Sequence, residues 1–257
     1  MQNTQVPSST QIAIVAGATG GIGSALCHRL TRAGWQIALV ARSADRLHEL
    51  QSQLPHSQVF VADITRGDEV QATWDAVTQK MGPPTAVAHC VGSIILKPAH
   101  LLSDQDWHDT IQLNLSSAFY LLRSAVRTWS RASFPGSLVF CSTAAAKIGL
   151  ANHEAIAASK AGLEGLVRSA AATYAARGIR VNAVAPGLVQ TQLAAKITGN
   201  EGALKASLSM HPLRRLGQPS DIASALAWLM DPEQSWVTGQ ILGVDGGLGS
   251  LKTLAAQ

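Results

Sequence analysis

A glycine-rich turn near the start of the chain has the residue types and spacing to hold a diphosphate. It lies between the apolar run Ile12–Ala16 and a segment from Ile22 that is predicted to be helical. Glycine permits a tight turn, and a pyrophosphate can approach the backbone only where no Cβ intrudes. The first turn of the helix would add free N–H groups and a positive dipole end. The predicted phosphate-binding residues are Gly17, Thr19, Gly20, Gly21, Ile22 and Gly23.

Alternating strands and helices are the elements that must position this turn. Such alternation predicts βαβ units and a parallel sheet, and no linker, repeat or low-complexity tract divides the chain. We therefore predict an α/β, single-domain Rossmann fold, with a doubly wound seven-stranded parallel sheet and helices on both faces. The predicted strands are Ile12–Ala16, Ile37–Ala41, Val59–Ala62, Ala86–Cys90, Ser137–Cys141, Arg180–Val184 and Gln240–Val244. The predicted helices are Ile22–Ala33, Ala44–Leu54, Glu69–Met81, one through Phe119 to about Ser130, and one from about Ala155 to Ala176.

The domain is predicted to span residues 11–250, with residues 1–10 as a flexible N-terminus and residues 251–257 as a C-terminal tail. Of the 257 residues, 47% are hydrophobic and 14% are charged. Typical soluble domains are about 25% charged. Because so few charges cannot cover the whole surface, we expect part of that surface to be buried between subunits.

Composition also indicates the cellular compartment and the kinds of partner to expect. The net charge is +4, and the densest basic cluster, Arg214-Arg215, is too short for a nucleic-acid-binding patch. Cys27, Cys90 and Cys141 are odd in number and far apart, which predicts buried free thiols rather than disulfides. Residues 1–10 lack a signal-peptide pattern, and no apolar run is long enough to span a bilayer. We expect a cytoplasmic protein with no nucleic-acid or membrane partner.

Further motifs follow the glycine turn in a fixed order. They are Asn114 in Leu-Asn-Leu, Lys160 within Glu154–Gly162, Asn182–Gly187, Thr191, Thr238-Gly239-Gln240 and Asp245-Gly246-Gly247. In this order and spacing the chain, from Ile12 to Gly247, resembles the short-chain dehydrogenase/reductase family, and within it the 3-oxoacyl-ACP reductases. The resemblance implies an oxidoreductase that uses a nicotinamide dinucleotide and acts on a ketone or secondary alcohol.

Cofactor choice is read at the end of the second predicted strand, where the adenosine ribose would lie. A carboxylate there would accept from the 2′-hydroxyl of NAD, but here Arg42 follows Ala41 and no acid comes before Asp45. Arg42 could pair with a 2′-phosphate, or it could be a surface residue that opens the next helix. We expect NADP(H), with NAD(H) as the alternative. By resemblance Asp63 would bind the adenine amino group, and it could equally cap a helix.

The resemblance implies cofactor contacts beyond the glycine turn. Lys160 would hold the nicotinamide ribose, and Thr191 would contact the carboxamide. The family's Asn-Asn-Ala-Gly after strand four reads His89-Cys90-Val91-Gly92 here, so only the glycine is kept. The full implied set is Arg42, Asp63, Ile64, Gly92, Asn114, Lys160, Pro186, Gly187, Val189 and Thr191.

The predicted catalytic residues depart from the family pattern at one critical position. In the family a tyrosine, four residues before the lysine, exchanges a proton with the carbonyl oxygen. Here Ile156 stands at that position, on the same helix face as Lys160. The serine that orients the substrate oxygen corresponds to Thr143, with the neighbouring Ser142 as a second candidate. Asn114 matches the active-site asparagine of the family.

His153 is the hypothesised substitute for the missing phenol. It lies three residues before Ile156, where the family's chain borders the substrate cavity. An imidazole titrates near neutral pH and serves as an acid or a base. The ring could supply the proton through a water held near Thr143 and Lys160, or it could merely flank the start of the helix. A metal site is also conceivable, although the spacing does not require one and no metal is expected. Its ligands would be His89, Cys90, Cys141 and His153.

Three classes of function agree with these residues. The first is an NADP(H)-dependent oxidoreductase with altered acid–base groups. The second is a non-catalytic dinucleotide-binding protein, such as a sensor or a regulatory subunit. The third is an enzyme of elimination or isomerisation, which needs no phenol. Retention of Lys160, Asn114 and a hydroxyl group at Thr143 favours catalysis.

Residues 190–215 are predicted to form the substrate lid. Apolar side chains such as Leu193, Leu204 and Met210 alternate there with small residues. This pattern suits an apolar or amphipathic carbonyl or alcohol, and it equally suits simple helix packing. By resemblance we expect a homotetramer, with a dimer as the alternative, in which the small-residue helices around Phe119 and Ala161–Ala176 pack between subunits.

Overall fold

The computed structural model describes residues 11–132 and 134–252 and contains a seven-stranded parallel sheet. In chain order the strands are β1 (Ile12–Ala16), β2 (Gln36–Ala41), β3 (Ser57–Val61), β4 (Ala86–His89), β5 (Gly136–Cys141), β6 (Ile179–Pro186) and β7 (Ile241–Val244). They pair in the order β3-β2-β1-β4-β5-β6-β7. The predicted fold class is therefore confirmed. The predicted flexible segment 1–10 and most of the predicted tail 251–257 lie outside the described residues.

Helices cover both faces of this sheet. In chain order they are α1 (Gly21–Arg32), α2 (Ala44–Gln51), α3 (Gly67–Met81), α4 (Asp104–Ile111), α5 (Ser117–Ala132), α6 (Glu154–Tyr174), α7 (Ala195–Thr198), α8 (Glu201–Met210) and α9 (Pro219–Met230). Helices α3, α5 and α6 pack on one face, and α1, α2 and α9 pack on the other. A π-helical turn, Gln112–Ser116, joins α4 to α5.

Each face of the sheet has its own hydrophobic core. Successive strand residues point to opposite faces, so Ile14 joins the core under α3 and α5 whereas Val15 joins the core under α1. Trp74 and Trp129 meet edge to face in the first core, with ring centroids 5.8 Å apart. Burial on both faces explains why the inner strands are mostly apolar runs in the sequence, whereas the edge strands β3 and β7 are partly exposed.

The sequence-based boundaries differ from the observed ones in a few places. Helix α2 ends at Gln51 rather than at Leu54, because the N–H groups of Gln53 and Leu54 donate three residues back and tighten the chain. Helices α4 and α9 were not predicted, although both carry start signals. Ser103 and Asp106 form a capping box at α4, and Pro219 is the first residue of α9.

The order of the strands decides where a ligand can bind. Strand β1 lies between β2 and β4, so the chain leaves β1 towards one side of the sheet first and towards the other side later. In doubly wound sheets, ligands bind outside the carboxyl ends of the strands at such a reversal. Of the helices in the described part of the chain, none has the length and apolar character needed to cross a membrane.

Candidate active site

The glycine turn leaves β1 at the point where the strand order reverses. Gly17 has a φ of +81°, and a Cβ built on it would lie 2.9 Å from the carbonyl carbon of Cys90. A Cβ on Gly23 would collide with the Gly17 carbonyl oxygen. The N–H of Gly17 donates to Val40 O at 2.9 Å and fixes the turn against β2. Both glycines are therefore required by close backbone packing, in addition to any need of a ligand.

A cleft of about 580 Å³ opens above this turn. Most of the predicted cofactor-binding residues line it, namely Gly17, Thr19, Gly20, Gly21, Ile22, Arg42, Asp63, Ile64, Gly92 and Thr191. Further lining residues outside the predicted cofactor-binding set include Ser43, Arg46, Cys90, Val91, Leu113, Gln192 and Leu193. The structure therefore brings together residues that the sequence separates by up to 176 positions, from Gly17 to Leu193.

Two arginines lie at the end of the cleft next to β2. Arg42 follows the strand directly, and Arg46 lies in the first turn of α2, where its Nη2 donates to Thr19 O at 2.7 Å. Ser43 caps the helix by accepting from the Arg46 N–H at 3.4 Å. Arg42 and Arg46 both line the cleft, so two guanidinium groups and a helix N-terminus border the same part of it. The sequence contained this signal in Arg42-Ser43-Ala44-Asp45-Arg46, and only Arg42 was singled out.

Asp63 follows β3 and faces the same end of the cleft. Partial burial raises the pKa of the Asp63 carboxyl, but hydrogen bonds from the Thr65 N–H and hydroxyl outweigh burial and hold the pKa below its ordinary value. The positive charges of Arg42 and Arg66 act in the same direction. Asp63 is therefore a carboxylate at neutral pH, with Oδ1 occupied by Thr65.

Asn114 lies inside the π-helical turn Gln112–Ser116 and is fully buried. Its Nδ2 donates to Thr110 O at 2.9 Å and to Ser93 Oγ at 3.0 Å. Its Oδ1 accepts from the Ser93 N–H at 3.3 Å. These contacts hold the amide with its oxygen towards Gly92, where a Cβ would lie 3.0 Å from Oδ1. Such π-helical turns are often found at functional sites.

Lys160 reaches the same edge of the cleft from α6. Its Nζ donates to Cys141 O at 2.7 Å, at the end of β5, and lies 3.7 Å from a Cβ built on Gly92. Burial lowers the pKa of the ammonium group. Asn114 and Lys160 therefore both approach Gly92. Ile156 lies one turn before Lys160 and is itself buried.

The two hydroxyl candidates after β5 have different environments. Thr143 is half-buried, and its Oγ1 accepts only a long bond, 3.3 Å, from the Ala145 N–H. Ser142 is buried and its hydroxyl donates to Glu164 Oε1 at 2.8 Å. The Ser142 hydroxyl is therefore engaged with α6, whereas the Thr143 hydroxyl still has its proton to donate.

His153 is the residue that immediately precedes α6. Its side chain does not cap the helix; Nδ1 pairs with Ala151 O at 2.7 Å. If Nδ1 carries the proton of that bond, Nε2 is the free acid–base atom. The cleft above the glycine turn is not lined by His153. Within the described part of the chain, no group of three or more His, Cys, Asp or Glu side chains is placed to hold a metal ion.

The residues after β6 fall into two groups. Thr191 stands over the glycine turn, where a Cβ on Gly21 would come 2.9 Å from its Cγ2. Gly187 and Val189 do not line the cleft. Gly187 lies against the buried ring of His211, which accepts from the Leu188 N–H at 3.1 Å and pairs with Ser207 O at 2.6 Å. Pro186 ends β6 without lining the cleft.

Comparison with known proteins agrees with this geometry. A sequence model described as enoyl-(acyl carrier protein) reductase matches residues 17–249. Cis-4-hydroxycyclohexanecarboxylate dehydrogenase of Sinomonas cyclohexanicum is 36% identical over 241 residues, covering 92% of this chain and 96% of that protein. The 3-oxoacyl-(acyl-carrier-protein) reductase of Pseudomonas aeruginosa is 31% identical over 242 residues, covering 93% of this chain and 97% of that protein.

Solved structures of related enzymes also match this chain over most of its length. A variant of actinorhodin polyketide ketoreductase with NADPH superposes with a TM-score of 0.89 at 28% identity, covering 94% of this chain and 98% of that one. A short-chain type dehydrogenase/reductase from Mycobacterium ulcerans has a TM-score of 0.88 at 31% identity, covering 94% and 91%. The chain belongs to the short-chain dehydrogenase/reductase family. The resemblance drawn from its motifs, including that to 3-oxoacyl-ACP reductases, is confirmed.

Proposed function

We propose that this chain is an NADP(H)-dependent oxidoreductase that acts on a ketone or secondary alcohol and draws its proton from a group other than tyrosine. The observation that carries the proposal is the convergence of Lys160 Nζ and Asn114 Oδ1 on Gly92, at the edge of the cleft formed by the glycine turn. By resemblance, the lysine would hold the nicotinamide ribose and the asparagine would belong to the active site.

The cleft fits a phosphorylated dinucleotide. The turn Gly17–Gly23 borders the cleft at the N-terminus of α1, where a pyrophosphate would bind. Arg42 and Arg46 supply charge-assisted donors where the 2′-phosphate would lie. The solved relative that contains NADPH supports the same choice. NAD(H) is the alternative, and it would leave this pair of arginines without a phosphate partner.

The roles of the chain's own residues follow from their positions. Lys160 holds the nicotinamide ribose, and the Thr143 hydroxyl donates to the substrate oxygen. Asn114 keeps the π-helical turn and the edge at Gly92 in place. The bound nicotinamide supplies a hydride to the carbonyl carbon in reduction and accepts one in oxidation. Ile156 presents only an apolar surface, so the proton for the oxygen has to come from elsewhere.

His153 is the proposed source of that proton. In reduction the ring starts as the imidazolium, with protons on both nitrogens. The Nε2 proton passes to a water near Thr143 and Lys160, which gives a proton to the substrate oxygen, and the ring is left neutral with its proton on Nδ1. The bond between Nδ1 and Ala151 O supports this role because it fixes the ring and leaves Nε2 unengaged among the described residues. A water molecule acting without His153 is the alternative donor.

The test is a panel of ketones and secondary alcohols assayed with NADP(H) and NAD(H). His153→Ala should lower turnover by about 10²–10⁴-fold, the usual contribution of a positioned acid or base, with NADPH affinity unchanged. His48→Ala is the matched control, since His48 is exposed on α2 and pairs with Gln51. Unchanged turnover in His153→Ala would refute the role of that ring. Absence of binding to all four dinucleotides in calorimetry would refute the whole proposal.

Two other functions are favoured by Ile156 itself, since it offers nothing that titrates. One is a dinucleotide-binding protein or regulatory subunit with no turnover. The other is elimination or isomerisation, which needs no phenol at this position. Binding of NADPH without turnover on any member of the panel would favour the first of these. Turnover without net oxidation of the cofactor would favour the second.

The substrate is proposed to be a small apolar or amphipathic carbonyl compound or alcohol. Leu193 lines the cleft and is 53% exposed, so an apolar surface of the lid faces the site. A homotetramer remains our expectation, with a dimer as the alternative. The exposed ring of Phe119 on α5 agrees with a surface that packs against another subunit.

A further inference from the structure

We propose that His89 is a positioning residue that acts through Ser117 to hold the π-helical turn Gln112–Ser116 in the form that presents Asn114. His89 is the last residue of β4, at the place where the resemblance predicts asparagine, and the proposed function gives it no role. The proposal rests on the proposed function in one respect, namely that Asn114 belongs to the active site.

A chain of two hydrogen bonds runs from β4 to the turn. His89 Nε2 lies 2.7 Å from Ser117 Oγ, and the Ser117 hydroxyl donates to Leu113 O at 2.6 Å. A hydroxyl has one proton, so the Leu113 bond leaves Ser117 Oγ as the acceptor towards the ring. His89 therefore carries its proton on Nε2 and donates it. Both His89 and Ser117 are fully buried, so water does not compete for this bond.

The π-helical turn depends on side chains to satisfy its backbone. The Ser117 N–H donates to Gln112 O, five residues back, and the Ser117 hydroxyl serves Leu113 O, four residues back. One turn earlier, Asn114 Nδ2 serves Thr110 O in the same way. Fixing the Ser117 hydroxyl therefore favours the wide turn over a regular α-helix, which would rotate Asn114 away from Gly92.

Stability alone does not account for an imidazole at this position. His89 is completely buried, and within the described residues no hydrogen-bond partner reaches Nδ1. Burial, together with the positive charge of Lys160, lowers the pKa of His89 to about 3, so the ring is neutral near pH 7. A buried acceptor without a partner destabilises a fold, and an apolar side chain would avoid that loss. The bond to Ser117 is what the imidazole provides and leucine would not.

The experiment compares His89→Leu and Ser117→Ala with the wild type, all saturated with NADPH. Ser124→Ala is the matched control, because Ser124 is a buried serine on the same helix whose hydroxyl donates to Gln71 Oε1 at 3.1 Å, away from the turn. Hydrogen exchange of peptides that cover residues 110–118 is measured together with kcat, KM, NADPH affinity and Tm. His89→Gln, which keeps an N–H donor at the end of its side chain, tests for rescue.

We expect exchange in residues 110–118 to become about tenfold faster in His89→Leu and Ser117→Ala and to stay unchanged in Ser124→Ala. We also expect kcat to fall by about 10- to 100-fold at unchanged NADPH affinity, because the active-site groups are misplaced rather than lost. The Tm of His89→Leu should equal or exceed that of the wild type, and His89→Gln should recover most of the activity.

Unchanged exchange in residues 110–118 would overturn the proposal. So would faster exchange over the whole chain with a lower Tm, since His89 would then be a general structural residue. If the wild type binds NADPH but turns over no substrate, the proposed function fails. The exchange comparison still decides in that case whether His89 holds the turn.

Discussion

Lys160 and Ile156 lie one turn apart on the same face of α6, and both side chains are buried. Lys160 Nζ donates to Cys141 O at 2.7 Å, so its position is set by the end of β5 and does not depend on residue 156. The lysine that would bind the ribose is therefore in place, although the position four residues before it carries no phenol. This separation of binding from proton transfer leads to the first prediction.

Ile156→Tyr should increase ketone reduction. A tyrosine at this position would bring a phenol beside the Lys160 ammonium, and a positioned acid contributes about 10²–10⁴-fold in rate. The measurement is turnover with NADPH on the ketone panel. Ile156→Phe is the matched control because it adds the ring without the hydroxyl. An equal gain in both variants would attribute the effect to packing, and no gain in either would show that the cavity is not competent.

Arg42→Ala should weaken NADPH binding by about 10- to 100-fold and leave NADH binding nearly unchanged, because charge-assisted bonds to the 2′-phosphate would be lost. Arg46→Ala should act in the same direction with a smaller effect, since its guanidinium also holds Thr19 O. Arg32→Ala, an exposed arginine at the end of α1, is the control. Calorimetric titrations with both cofactors measure the effect. Equal losses for NADPH and NADH would contradict the assignment.

Ser142→Ala should affect stability, whereas Thr143→Val should affect turnover. Ser142→Ala removes the hydrogen bond to the buried Glu164 carboxylate and should reduce stability by about 1–3 kcal/mol with turnover unchanged. Thr143→Val keeps the shape but removes the hydroxyl, and should reduce turnover with Tm unchanged. Thermal unfolding and steady-state kinetics measure the two effects. A loss of turnover in Ser142→Ala alone would move the substrate contact to Ser142.

Lys160→Met should alter the pH dependence of stability. Burial lowers the pKa of Lys160, so the folded state binds its proton less readily than the unfolded chain does. The resulting destabilisation is complete below the lowered pKa and disappears as the pH rises above the ordinary lysine value of 10.5. The Tm of the variant minus that of the wild type should therefore become more negative from pH 7 to pH 10. Each kcal/mol corresponds to about 2–4 °C. A difference that does not depend on pH would refute the assignment.

Much of the fold followed from the sequence because its signals are local. A buried strand is a run of apolar residues, and a glycine turn with a helix behind it is contiguous, so β1, Gly17–Gly23 and α1 could be predicted together. Lys160 and Asn114 were found through motifs of the family, which fix their spacing. Both side chains approach Gly92, and the chain as a whole superposes on a solved relative with a TM-score of 0.89.

The rest depends on contacts that no single segment contains. The π-helical turn at Gln112–Ser116 is held by Ser93 and His89, which lie 21 and 28 residues before their partners Asn114 and Ser117. Ser142 and Thr143 look alike in the sequence, and only the packing of Glu164 on α6 distinguishes them. Arg46 lines the cleft because α2 begins at Ala44, directly after the end of β2.

Two hydrogen bonds join the start of the segment after β6 to its end. The Gln190 N–H donates to Gly217 O at 2.9 Å, and the Gly217 N–H donates to Leu188 O at 2.9 Å. A loop closed at its base can change its sequence and shape without disturbing the sheet below it. Thr191, Gln192 and Leu193 line the nucleotide cleft, and His211 accepts from the Leu188 N–H. Residues 194–210 are therefore the natural unit to exchange when a different molecule is to be admitted, with the nucleotide cleft kept intact.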